Sequence, residues 1–192
     1  MRGLAAIVEI SPSALSQIET GRSRPSVRTL YALVSELGLS LDELFAAQGT
    51  ADASSARVKR AQAVPAAREI VLRSSDRKQI RLESGVTWDR LNPIGERDVE
   101  FLEVTYDVGG ASSGTGTFAR DEGREYGLVL AGRLRVTVGF EEYELAPGDS
   151  ISFESTIPHR LETIGKVPVK AVWFVIGRSG SDSRVRWPSE GD

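Results

Sequence analysis

Residues 10–28 read Ile10-Ser-Pro-Ser-Ala-Leu-Ser-Gln-Ile-Glu-Thr-Gly-Arg-Ser-Arg-Pro-Ser-Val-Arg28, and this stretch decides how the N-terminal part of the chain is read. Ser11 is a natural N-cap, and Pro12 suits the first helical position, where a missing N–H costs nothing. Gly21 supplies the stop, so the spacing predicts one short helix over Pro12 to Thr20. On a 3.6-residue wheel Ala14, Leu15 and Ile18 form an apolar stripe, while Pro12, Ser13, Ser16, Gln17 and Thr20 fall opposite. That second face carries short hydroxyls and one amide, with no carboxylate. Such a surface suits a phosphate backbone and base edges, Gln17 being a side-chain type that pairs with adenine in the major groove. Arg22, Arg24 and Arg28 follow at once, placed to meet phosphates beside that groove.

The helices on either side are shorter signals. Gly3 to Val8 carries Leu4, Ala5 and Val8 on one side. Ser26 caps a further helix in which Leu30, Leu33, Val34 and Leu37 recur at core spacing before Gly38 ends it. Ser40-Leu41-Asp42-Glu43 reads as a capping box opening a last short helix that buries Leu44 and Phe45.

Taken together, Ser-x-Ser-x-Leu-Ser-Gln-Ile-Glu-x-Gly-x-x-x-Pro-Ser resembles the recognition helix and following loop of Xre-type (phage-repressor-like) helix-turn-helix regulators. The resemblance implies that Ser11, Ser13, Ser16 and Gln17 lie at the DNA, with Ser13 and Gln17 at base-contacting positions. Thr20, Arg22 and Arg24 match the phosphate-contacting loop. An ordinary surface helix in any all-α domain is the competing reading. Domains of this type normally have five helices, and the pattern here supplies four, the missing one being the first. In the resembling family the glutamate matching Glu19 pairs with an arginine on that helix. Met1 stands directly ahead of Arg2-Gly3-Leu4, so the expectation is a partly buried, partnerless Glu19, an uncovered apolar face on Leu4, Val8, Leu44 and Phe45, a loosened headpiece and weak DNA binding. Either translation begins upstream of Met1 or operator binding has been lost.

From Gly49 the composition turns to Ala, Ser, Thr and Asp, then Arg57-Val58-Lys59-Arg60, closing near Ala66. No period runs through it, which reads as a linker over 49–66, the basic cluster being a solvated tether. Beyond Glu69 the period becomes two. Ile70 and Leu72, Ile80 and Leu82, Leu102 to Val108, Leu128 and Leu130, Leu134 to Val138, Tyr143 and Leu145, Ile151 and Phe153, and Val169 to Val175 alternate between glycine, proline and aspartate breaks. Many short strands at regular spacing predict a closed antiparallel barrel or jelly roll. Glu125-Tyr-Gly-Leu-Val-Leu-Ala-Gly-Arg-Leu-Arg-Val and Pro147-Gly-Asp-Ser-Ile-Ser-Phe, followed by Pro158-His159, resemble the two cupin motifs. The expected organisation is therefore an α + β two-domain chain. An all-α helix-turn-helix over 1–48, its first helix missing, is followed by the linker, an all-β cupin jelly-roll barrel over 67–178 and a polar tail over 179–192.

Metal-bearing cupins offer His-x-His, a glutamate and a last histidine. This chain has one histidine, His159. The other histidine positions fall at Ala119 and Asp121, or at Phe118 and Arg120, leaving at best Asp121, Glu125 and His159. Such a set is poor in the imidazoles that hold iron, nickel or zinc, so no metal and no other cofactor is expected. The competing reading of Glu125 is a structural carboxylate paired with Arg124, Arg133 or Arg160. No serine stands near the histidine at nucleophile spacing, and cysteine is absent, so an enzyme is not expected either. What remains is a pocket in which Arg120, Asp121, Glu125, Tyr126 and His159 meet a small polar effector such as an amino acid, an amine or an organic acid. The alternative is an interior filled by its own side chains, the barrel serving only to dimerise.

The 192 residues carry a net charge of −3, so DNA affinity has to come from a local patch rather than the overall field. No apolar run approaches the roughly 18 residues of a membrane span, and no secretion signal is visible. The sequence thus predicts a cytoplasmic homodimeric transcription regulator that makes no membrane contact. It would bind an inverted-repeat double-stranded operator and a small-molecule effector. The rival is a ligand-binding or dimerisation module that no longer binds DNA.

Overall fold

The computed structural model describes residues 2–39, 41–47, 70–93 and 99–177. The expected linker and tail lie outside the described residues, as does Ser40, the proposed cap of the last helix.

The N-terminal helices are α1 (Arg2–Ile7), α2 (Pro12–Glu19), α3 (Val27–Glu36) and α4 (Leu41–Ala47). Ser11 caps α2 by accepting from the Ala14 amide at 3.0 Å, and Ser26 caps α3 by accepting from Thr29 at 3.1 Å. Gly21 takes φ of 68°, which only glycine enters without cost, and lets the chain leave α2 sharply. Ala5 of α1 and Val8 just past its end pack on Leu15 and Leu33, holding α1, α2 and α3 together.

Three expectations for this region are corrected. Leu37 is 54 % exposed, because α3 ends at Glu36 and Leu37 is its C-cap, beyond the stripe that faces the core. Glu19 is exposed and so fully hydrated, which removes the cost attached to burying it without a partner. Phe45, expected to be uncovered, is only 1 % exposed, and Val8 is 4 % exposed. Phe45 belongs to one continuous core with the strands that follow, and the Arg90 guanidinium stands 5.9 Å from its ring centre. Tyr31 of α3 completes this junction. Its ring lies 5.1 Å from that of Trp88, and its hydroxyl donates to Glu100 at 2.7 Å.

The strands are β1 (Gln79–Arg81), β2 (Val86–Arg90), β3 (Val99–Tyr106), β4 (Arg124–Ala131), β5 (Leu134–Val138), β6 (Glu141–Leu145), β7 (Ser150–Glu154), β8 (His159–Thr163) and β9 (Val169–Ile176). They form a six-stranded sheet in the order β1-β2-β3-β9-β4-β7 and a three-stranded sheet in the order β6-β5-β8, every pairing antiparallel. Inward residues from both sheets, among them Leu102, Val104, Val129, Val136, Leu161, Ala171 and Val175, fill the space between them. This is the expected jelly roll behind a helical headpiece.

The strand expected at Ile70 and Leu72 is not formed. Ile70 is 85 % exposed, and a 3₁₀ turn at Ser74–Asp76 precedes β1. Leu128 and Leu130 do alternate, but on the outward face, at 41 % and 46 % exposure. Glu125, Gly127 and Val129 take the inward positions of β4. Val108 lies past the end of β3 and is likewise exposed.

Both motif turns have physical reasons. Gly132 sits at φ of 77°, and a Cβ there would meet the Pro168 carbonyl oxygen at 2.4 Å, so only glycine closes the β4–β5 corner against β9. In the Pro147-Gly148-Asp149 turn the Asp149 carboxylate accepts from the Ala146 amide at 2.8 Å. The turn's backbone exchanges bonds with Val129, beside the irregularity that ends β4.

Candidate functional site

The expected DNA face is presented by α2. Leu15 is buried and Ala14 and Ile18 are half-buried, which turns Ser11, Ser13, Ser16 and Gln17 outward, all exposed. Thr20, Arg22 and Arg24 are exposed beside them. Thr20 donates its hydroxyl to the Ser16 carbonyl at 2.8 Å, and the Arg22 and Ser23 amides close on the Gln17 carbonyl at 2.8 and 3.2 Å. These bonds fix where the loop leaves the helix. The guanidinium groups of Arg22 and Arg24 have no hydrogen-bond or ion-pair partner among the described residues. Arg28 differs, because it forms an ion pair with Glu9. Glu9 occupies the turn between α1 and α2 at φ of 57°, a left-handed backbone that is unfavourable for a side-chain-bearing residue.

Inside the barrel, Glu125 on β4 is 4 % exposed. Its Oε2 accepts from the Trp173 indole N–H at 2.7 Å and its Oε1 from the Ser155 hydroxyl at 3.1 Å. His159 brings Nε2 to 3.4 Å from Oε1. Its Nδ1 lies 2.9 Å from the Ile157 carbonyl, which can only accept, so Nδ1 carries a proton. Phe153 lies against the imidazole with ring centres 5.0 Å apart and planes inclined at 50°. Tyr106, 4 % exposed, closes the set. Burial, and then the charge of Glu125, push its hydroxyl far above the usual phenol range, so it stays protonated.

Of the five residues expected in this pocket, only Glu125 and His159 are brought together in the interior. Asp121 is half-buried, and its amide donates to the Ser155 carbonyl at 3.0 Å, which places its backbone beside the cluster. Arg120 is exposed. Tyr126 follows the strand alternation onto the outer face, 6.3 Å from Phe174 and beneath the Arg124 guanidinium. Arg124 pairs with Glu154, Arg133 with Glu144 and Arg160 with Glu162, so none of the three arginines considered as partners of Glu125 is spent on it.

Trp173, Ser155 and Tyr106 were not singled out by sequence reasoning. One signal was present. Gly127 stands two residues after Glu125 on the same face, and a glycine inside a strand marks a close approach by another group.

The donor set does not fit a transition metal. Ala119, at one of the expected histidine positions, bridges His159 through the backbone instead. Glu125 already accepts from Trp173 and Ser155, and among the described residues no three His, Cys, Asp or Glu side chains gather as a metal group.

Residues 1–44 match the helix-turn-helix family model, and residues 102–175 match the cupin domain model. The chain thus carries an Xre-type helix-turn-helix domain followed by a C-terminal cupin domain, the organisation of a DNA-binding transcriptional regulator. It is similar to the HTH-type transcriptional regulator PuuR of Escherichia coli and to PuuR of Shigella flexneri. Each is 28 % identical over 159 residues, covering 82 % of this chain and 76 % of the relative. Among solved structures, an HTH_3 family transcriptional regulator from Vibrio cholerae has the same fold, with a TM-score of 0.60 at 22 % identity, covering 92 % of this chain and 85 % of that one. The relatives being regulators, the cupin domain is read as a non-enzymatic one. No helix among the described residues is long and apolar enough to cross a membrane.

Proposed function

We propose that the protein is a cytoplasmic, homodimeric regulator that reads an inverted-repeat operator and senses a small polar metabolite in its barrel. Its organisation would be a headpiece over 1–48, a linker over 49–66, a barrel over 67–178 and a tail over 179–192. The observation that carries the DNA half is the exposed face of α2. Ser13 and Gln17 contact base edges, Ser11 and Ser16 the flanking backbone, and Thr20, Arg22 and Arg24 the phosphates. Two such helices about 34 Å apart would enter successive major grooves.

The outer face of the six-stranded sheet supports pairing of the subunits. Phe101, Phe174 and Tyr126 stand in cross-strand register, with Val172 and Leu128 beside them. Phe101 and Leu128 are 36 % and 41 % exposed, and an apolar patch of this kind marks an interaction surface. Leu128→Glu should convert a dimer to monomers by sedimentation, and an unaltered dimer would move the interface elsewhere.

For the effector, Glu125 and His159 supply the polar groups, approached past Arg120 and Asp121, with Tyr126 outside. One observation favours the rival reading of a self-filled interior. Trp173 and Ser155 already donate to the carboxylate, one to each oxygen, so the protein's own side chains take up part of the acceptor capacity a ligand would use.

The deciding experiment is a gel-shift with the intergenic DNA upstream of the protein's own gene, repeated with amines, amino acids and organic acids. Specific retention that one class of metabolite alters supports the regulator. Retention that none alters leaves the barrel a dimerisation module. Absence of specific retention removes the DNA reading.

A further inference from the structure

A cleft of about 550 Å³ lies between the headpiece and the first strand of the barrel, outside the Glu125 cluster. Its size falls within the range of roughly 300–1,000 Å³ typical of small-molecule sites. Ile18, Leu33, Leu37, Leu39, Leu44 and Leu82 supply apolar walls, and among the described residues no carboxylate lines it. Among the described residues, the charged ones that line it are Arg24 and Arg81. Both are exposed, which puts them at its mouth. Among the described residues, Arg24 has no side-chain partner and Arg81 uses only Nε, to the Gln79 side chain at 2.9 Å. An apolar chamber with guanidinium groups at its mouth, and no opposing acid among the described residues, is complementary to an amphipathic anion.

We propose that this cleft binds a medium-chain carboxylate, its hydrocarbon body against the leucines and its headgroup on Arg81 and Arg24. The leucines come from α3, the loop after it and α4, and Leu82 and Arg81 from the barrel. A bound molecule therefore touches both domains and favours the arrangement in which they are docked. Arg24 is also a proposed phosphate contact. A carboxylate that takes this guanidinium withdraws it from DNA, so occupancy lowers operator affinity. Binding at the cleft does not depend on the function proposed above. Only the coupling to DNA rests on it, and the test separates the two.

The full-length protein is dialysed against decanoate, kept below its micelle concentration, and in parallel against decylammonium. One molecule of decanoate should bind per chain, with decylammonium at least tenfold weaker. Arg81→Glu and Leu37→Glu change exposed side chains and leave the core intact. Each should weaken decanoate at least tenfold, whereas Glu125→Gln should leave it unchanged. Absence of saturable binding, equal binding of the cation, or indifference to Leu37→Glu would overturn the site. If decanoate binds as described, operator affinity should fall at least threefold in its presence, and the fall should vanish in Arg24→Gln. Decanoate binding with undiminished operator affinity would reject the coupling while keeping the site. Loss of operator binding by the ligand-free protein would reject the regulator reading alone.

Discussion

Trp173 lies over Gly127. The two are register partners on β9 and β4, and a Cβ built on Gly127 would stand 2.1 Å from the indole ring. The absence of a side chain at Gly127 is what allows the indole to turn along the interior and donate to Glu125. Gly127→Ala should therefore evict the ring and cost about 1–3 kcal/mol in urea unfolding, through overpacking. Near-UV circular dichroism should weaken with it. An alanine variant of unchanged stability and spectrum would show that the interior has room to spare.

Removing only the donor isolates the hydrogen bond. Trp173→Phe keeps much of the apolar volume but leaves Glu125 Oε2 without its indole, a loss of about 1–3 kcal/mol for a buried acceptor. The double variant Trp173→Phe with Glu125→Gln should recover part of that cost in the same unfolding measurement. Strict additivity would mean the two side chains act independently.

Glu9 offers a test of backbone strain against ion pairing. Its left-handed φ favours glycine, while its carboxylate holds Arg28 in an exposed pair that contributes at most about 1 kcal/mol. Glu9→Gly and Glu9→Ala both lose the pair, but only glycine relieves the backbone. The glycine variant should be about 1 kcal/mol more stable by thermal unfolding than the alanine variant. Both should bind DNA of any sequence more tightly at low salt, since Arg28 is released.

On the proposed DNA face, Gln17→Ala should cost about 1–3 kcal/mol at the preferred operator and relax preference at one base position. Arg22→Ala and Arg24→Ala should weaken binding to all sequences and flatten its salt dependence. Competition gel-shifts across a salt series distinguish the two patterns. The same loss of specificity from all three would undo this division of roles.

Glu103 gives the protein a predictable acid limb. A hydrogen bond from Lys170 at 2.8 Å, helped by both cationic neighbours Lys170 and Arg77, outweighs burial and holds its carboxyl below the usual 4.5. A group depressed in the folded state stabilises the fold above its unfolded pKa and loses that contribution as pH falls through the folded one. Stability should thus decline below pH 4.5, and Glu103→Gln should flatten the decline in urea titrations at successive pH values. An identical slope in the variant would assign the acid limb to other carboxylates.

The helices were legible because their caps, stops and stripes are local, so Ser11, Gly21 and Ser26 could be read in place. Leu37 was misplaced because a stripe shows spacing but not where the helix ends. The two cupin-like turns were legible for a similar reason, since Gly132 and Asp149 act within a few residues of themselves. Faces of strands were harder. Alternation through Tyr126, Leu128 and Leu130 is as regular as through Glu125, Gly127 and Val129, and only the sheet decides which set turns inward. The interior cluster was half-visible. Glu125 and His159 stood in motifs, but Ser155 and Trp173 reach Glu125 through the pairing of β4 with β7 and β9, which no local pattern encodes. The docking of Phe45 and Tyr31 on Trp88 and Arg90 was not legible, because it joins residues on opposite sides of a long stretch without periodicity.

That docking has an optical consequence. Trp88 is 3 % exposed and borders Tyr31 of the headpiece, whereas Trp173 is 5 % exposed and bonded to a carboxylate inside the barrel. Two indoles in such different surroundings emit differently, and with Trp187, which lies outside the described residues, replaced by phenylalanine, replacing either of the two leaves the other to be followed. Undocking of the headpiece hydrates Trp88 and shifts its fluorescence to the red, while a molecule entering the barrel perturbs Trp173 alone. The chain thus carries its own pair of reporters, one for each place where a ligand is proposed to act.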